Sequence, residues 1–135
     1  MTLQQTFKVL MALPVGLLIL DGVALAHHSR TQYGHDETTT NGTVIEYQWK
    51  NPHVYLVWQE KDQGKTTHWV GEMSSVTSMI ADGMTKDSLK PGDQITVVAF
   101  GSRNAGSTEV LVKKITKADG TVVVEDARAP QSRQR

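Results

Sequence analysis

Ser74-Ser75-Val76-Thr77-Ser78-Met79-Ile80-Ala81-Asp82-Gly83 reads as one short helix. Serines suit a helix N-cap, because the hydroxyl accepts from the free amides of the first turn. Val76, Met79 and Ile80 fall at i, i+3 and i+4, a single apolar stripe. Asp82-Gly83 then supplies a glycine that tolerates the left-handed conformation at a helix end. On either side of this helix the apolar period is two rather than 3.6, so the fold must place one short helix inside a run of strands.

Upstream, residues 43–49 (TVIEYQW) are β-branched and aromatic, with Ile45, Tyr47 and Trp49 on one face and Glu46 and Gln48 on the other. Lys50-Asn51-Pro52-His53 breaks that strand, since Pro52 has no N–H for a ladder and drives Asn51 away from helix. The alternation resumes over 54–60, with Val54, Leu56 and Trp58 on one side and His53, Tyr55, Val57 and Gln59 on the other. Lys61-Asp62-Gln63-Gly64 is a hairpin turn into a third strand, 66–72, which sets His68 and Val70 opposite Trp69. Downstream, Leu89-Lys90-Pro91-Gly92-Asp93 turns the chain into a fourth strand, 94–100. Residues 101–107 (GSRNAGS) form a loop, 108–116 a fifth strand, and Asp119-Gly120 a hairpin returning through 122–124.

Three strands, a helix, two strands and a closing hairpin predict an all-β protein with one short helix. The architecture that puts its helix between strands three and four is the small five-stranded barrel of the OB-fold. A small β-sandwich is the alternative, although it has no use for a helix at that point.

The chain opens on a different kind of segment. Residues 1–26 carry one base, Lys8, then the apolar run from Val9 to Leu20, then Asp21 to Ala26 ending in small residues at Ala24 and Ala26. That is the layout of a secretory signal peptide cleaved after Ala26, and the run is too short for the roughly 20 apolar residues of a spanning helix. The expected product is a periplasmic or secreted protein with no membrane attachment. It divides into a polar, extended arm over 27–42, a barrel domain over 43–126 and a disordered tail over 127–135 that holds Arg128, Arg133 and Arg135.

With 14 Lys and Arg against 14 Asp and Glu, the chain is formally neutral, which argues against nucleic acid as a partner. It has no cysteine, so disulfides and thiolate zinc sites are excluded. Nucleophile elbow, phosphate-cradling glycine loop and HExxH helix are all missing. Nothing assigns a catalytic residue, and the glutamates at 46, 60 and 72 lie scattered on strands.

The chemistry therefore rests on the cleavage junction, Ala26-His27-His28-Ser29. A chain beginning at His27 offers a terminal amine, whose ordinary pKa of about 7.7–8.0 lets it bind metal near neutral pH, together with an imidazole of the same residue. With a further imidazole opposite, this is the T-shaped histidine brace, and nitrogen-only tetragonal sites favour copper(II) or nickel(II). His28 and His53 are the candidate partners, His53 because Pro52 sets its backbone; His35 and His68 stand in reserve. Two neighbours of these residues, Trp49 and Tyr55, are candidates for binding a flat ligand, although in a small barrel large aromatics are mostly core.

The AHHS junction, the Asn51-Pro52-His53 turn and Ser88-Leu89-Lys90-Pro91-Gly92-Asp93 together resemble an uncharacterised family of small secreted bacterial proteins, known only as a domain of unknown function. The likeness runs from His27 to about Val123. Glu72-Met73-Ser74-Ser75-Val76 departs from it, standing where the family has a Gly-Ser-Pro-Asn-type helix start. The resemblance implies secretion and no activity. Three functions follow from the residues: a copper-binding protein using the mature histidine terminus, a metal-free adaptor or small-ligand-binding module working with an unknown periplasmic protein or small ligand, and an oxidative enzyme built on the braced copper.

Overall fold

The β-branched and aromatic runs do become strands. The computed structural model describes residues 29–126. A single 3₁₀ turn, Ser29–Gln32, leads into β1 (Tyr33–Gln48), followed by β2 (Tyr55–Asp62), β3 (Lys65–Glu72), α1 (Val76–Ala81), β4 (Gln94–Ser102), β5 (Glu109–Lys117) and β6 (Val122–Glu125). Residues 1–28, which include the expected signal segment, His27 and His28, and residues 127–135 lie outside the described residues.

Neighbouring strands run in the order β3-β2-β1-β4-β5-β6, and each of those pairings is antiparallel. A parallel pairing of β3 with β5, Val70 opposite Glu109 through Glu72 opposite Leu111, joins the two ends into a ring. The ring is the five-stranded barrel with a helix between its third and fourth strands, as the order of elements predicts. β6 is a further short strand: it takes the edge of β5 beyond the stretch that meets β3, pairing at Lys114 to Thr116.

Capping explains where α1 begins. Ser75 Oγ accepts from the amide of Ser78 at 3.3 Å, and Gly83 at φ +86° turns the chain out at the other end. Met79 is buried in the core with Met84 and Leu89 of the loop that follows, whereas Ile80 points outward, 59% exposed. The expected stripe is thus narrower than its three residues.

Trp58 is the centre of the core. It is fully buried, its Nε1 donates to Thr40 Oγ1 at 3.2 Å, and its ring stacks on Trp69 with centroids 6.3 Å apart. Two glycines make room for it. A Cβ on Gly71 would sit 2.6 Å from Val112 Cγ2 and 2.8 Å from the Trp58 ring, and one on Gly42 would collide with the Gln59 carbonyl oxygen.

Two expectations need correction. Much of the stretch 27–42 is not a free arm, because β1 begins at Tyr33 and Glu37 through Thr43 pair with β4. Backbone pairing does not ask for apolar side chains, and the threonine run Thr38-Thr39-Thr40 is β-branched, so β4 recruits a polar segment into the sheet. Nor do Ile45, Tyr47 and Trp49 share one buried face. The register of β1 against β2 shifts between Val44 and Glu46, leaving Ile45 as the extra residue of a bulge. Val44 consequently points into the core while Ile45 is 41% exposed.

Candidate functional site

Several strand ends meet at one end of the barrel. Tyr33 opens β1, Tyr55 opens β2, Glu72 closes β3 and Glu109 opens β5. The ladder brings them together, since Tyr55 stands opposite Glu72 on β3 and Val70 stands opposite Glu109 on β5.

His53 is held beside them by backbone. Its neighbour Val54 donates to the Ser74 carbonyl at 3.0 Å and accepts from the Met73 amide at 2.9 Å. Asn51 Oδ1 accepts from the Val76 amide at 3.2 Å, which ties the Asn51-Pro52-His53 turn, cis at its Asn51–Pro52 bond, to the start of α1. The imidazole is consequently delivered to the end of β3, where His53 Nδ1 lies 2.5 Å from Glu72 Oε1. Glu72 is 4% exposed, and its Oε2 accepts from the Tyr33 hydroxyl at 2.9 Å. A buried carboxylate costs heavily unless it is paired, and here a phenol and an imidazole both satisfy it.

This triad fixes the histidine's tautomer. An imidazole that gives its Nδ1 proton to a carboxylate presents the lone pair of Nε2, and the His53 side chain is 26% exposed. Such carboxylate–histidine pairs orient and strengthen metal-ligating histidines. Tyr33 packs on Phe100 and Leu111, so it is anchored as firmly as its partner. Burial and then the Glu72 hydrogen bond push the Tyr33 hydroxyl well above its ordinary pKa; burial and the Glu72 and Glu109 charges also raise that of Tyr55.

Next to the triad is a cavity of about 190 Å³ lined by Gln32, Tyr33, Tyr55, Val70, Glu72 and Glu109. The 101–107 loop supports its rim: Arg103 donates from Nε to the Tyr33 carbonyl at 3.0 Å and from its amide to the Gln32 carbonyl at 2.8 Å.

Of the sequence-predicted residues, His53 and Tyr55 are brought together here, with ring centroids 6.5 Å apart. His27 and His28 lie outside the described residues. His68 sits on the exposed face of β3 opposite Gln59, four positions from Glu72 and so about 13 Å along the strand. His35 is exposed on β1 within the irregular register between Tyr33 and Glu37. Trp49 packs against Tyr47 at 5.8 Å and against the core rather than the cavity. Among the described residues no three His, Cys, Asp or Glu side chains are grouped as for a metal ion.

Sequence reasoning missed Tyr33 and Glu72. The one signal for Glu72 was its position at the very end of a strand, where a charged side chain is common; nothing local pointed to Tyr33. Their meeting is a product of the fold, since the two lie 39 positions apart in the chain.

Residues 16–111 match the model of a family of unknown function, DUF6152. No curated protein matches the chain. Among solved structures it is similar to the mitochondrial single-stranded DNA binding protein Rim1 from S. cerevisiae, at TM-score 0.50 and 10% identity, over 63% of this chain and 94% of that one. A second crystal form of Rim1 gives TM-score 0.46 and 12% identity, over 69% and 99% of the two chains. At such identity the likeness is one of fold. It corrects the exclusion of nucleic acid that formal neutrality suggested, since the barrel is shared with a protein that binds single-stranded DNA, and total charge does not decide what one face of a barrel holds. Among the described residues no helix is long and apolar enough to cross a membrane.

Proposed function

We propose that this chain, which belongs to the DUF6152 family of unknown function and takes no assigned activity from it, binds a transition-metal ion, copper(II) foremost, in the exported compartment. After cleavage at Ala26 the amine and imidazole of His27 chelate the ion, His28 lies beside it, and His53 Nε2 is the ligand contributed by the barrel.

The observation that carries this reading is the contact of His53 Nδ1 with the buried Glu72 carboxylate, itself held by Tyr33. Among the described histidines, His35, His53 and His68, His53 is the one whose free nitrogen is aimed by a rigid partner, which lowers the entropy lost on coordination. Chain length is compatible. His27 precedes Tyr33 by six residues, of which Ser29–Gln32 form a 3₁₀ turn, so its reach is up to about 15 Å, and Tyr33 and His53 grip the same carboxylate. Nitrogen donors and the absence of cysteine favour copper(II) over softer or harder ions.

The test is copper(II) titration of the protein recovered from the exported fraction, with its first residue established by intact mass. Binding tighter than that of free histidine, weakened about tenfold or more by His53→Ala and by one glycine added ahead of His27, is the expected result. Binding no tighter than free histidine by a chain that begins at His27 refutes the proposal.

A further inference from the structure

The cavity between Tyr33, Tyr55, Glu72 and Glu109 has a chemistry of its own, which the metal reading leaves unused. Two phenol rings and two carboxylates line it with Val70 and Gln32, and neither lysine nor arginine is among the lining residues. The nearby cation, Arg103, has its Nε committed to the Tyr33 carbonyl outside the lining. Glu72 is satisfied by His53 and Tyr33, but no ion pair engages the Glu109 carboxylate among the described residues.

The geometry points to a binding site for a small organic ammonium ion. Aromatic faces attract a cation through the ring quadrupole, and the attraction grows where the site is partly desolvated, while carboxylates nearby supply the countercharge. A volume of about 190 Å³ suits a head group of a few carbons around one nitrogen. A bare hard ion would instead need six or more oxygen ligands. Here two of the lining residues are tyrosines, and Glu72 already spends both oxygens on His53 and Tyr33.

The test uses the full 135-residue chain, in which the nitrogen of His27 is an amide, so no brace can form and the outcome is independent of the copper reading. Choline is titrated against the uniformly labelled protein by NMR, with 3,3-dimethylbutan-1-ol as the uncharged molecule of the same shape. Choline should bind with Kd of about 1 mM or tighter, shifting the Tyr55, Val70 and Glu109 amides, and the neutral alcohol at least tenfold more weakly. Glu109→Gln, on an exposed side chain at a strand end, should weaken choline about fivefold, and Tyr55→Leu by a similar factor. Equal binding of choline and the alcohol would overturn the proposal, as would choline affinity unchanged by Glu109→Gln. Calcium that shifts the same amides at lower concentration than choline would also overturn it, in favour of an oxygen-ligated metal site.

Discussion

Replacing Glu72 by leucine should invert the effect of a second mutation at Tyr33. In the native protein the carboxylate accepts from the Tyr33 hydroxyl at 2.9 Å and from His53 Nδ1 at 2.5 Å, at a position 4% exposed. A hydrogen bond to a charged group contributes about 1.5–3 kcal/mol, and a buried donor left without an acceptor costs about 1–3 kcal/mol. Glu72→Leu takes the acceptor from both groups. His53 is partly exposed and can turn to water, but the Tyr33 hydroxyl, on a residue 3% exposed, loses its carboxylate acceptor and keeps only the Gln32 side chain as a partner. Relief of the carboxylate's own desolvation offsets part of this, so the expected loss is about 2 kcal/mol, or a fall in Tm of roughly 10 °C for a domain of this size. Tyr33→Phe should cost about 1 kcal/mol in the native background, where it wastes a good acceptor. In the Glu72→Leu background it should cost nothing or stabilise, because it removes the stranded hydroxyl. The assay is urea unfolding of the four proteins of the cycle at pH 7, followed by tryptophan fluorescence. A Tyr33→Phe effect equal in both backgrounds to within about 0.5 kcal/mol would mean that the two side chains are not coupled, and the triad argument would fall.

Alkaline pH offers a related check. Burial and the Glu72 contact raise the Tyr33 pKa, and burial raises that of Tyr47, whose hydroxyl donates to the Thr85 carbonyl at 3.0 Å. A folded-state pKa above the unfolded value of about 10 means stability fully present below pH 10 and lost as pH rises beyond it, by about 1.4 kcal/mol per pH unit for each tyrosine. Urea midpoints between pH 9 and 11 should show the decline, and Tyr33→Phe should reduce its slope. Asp93 has its pKa lowered, first by its bond to Lys90, then by its further contacts with Lys117. Its contribution is therefore present above the unfolded pKa of about 4 and fades as pH falls through the lower folded value, and Asp93→Asn should flatten stability between about pH 4 and 2. Gly71→Ala should cost about 1–3 kcal/mol, because the new methyl meets Val112 and the Trp58 ring, and a destabilisation below about 0.5 kcal/mol by calorimetry would contradict that packing. Glu72→Leu should also lower copper affinity of the mature protein roughly 10–100-fold without touching a ligand, as isothermal titration would register.

What the sequence determined alone was the barrel. Period-two runs, the Asp119-Gly120 and Gln63-Gly64 turns and one capped helix between strands are local signals, each set within a few residues, and together they leave little choice of topology. The same locality limited the reading elsewhere. The bulge at Ile45 exists only because β1 must serve β2 and β4 in different registers, and the polar segment before Gly42 became strand only because β4 presented an edge to it. His53 was legible as a candidate because Pro52 marks its turn. Its partner was not, since Glu72 and Tyr33 lie 39 positions apart in the chain and share no pattern with it. Barrel closure decided that meeting: a carboxylate buried at the end of β3 needs donors, and the chain supplied them from wherever the ring brought its ends together.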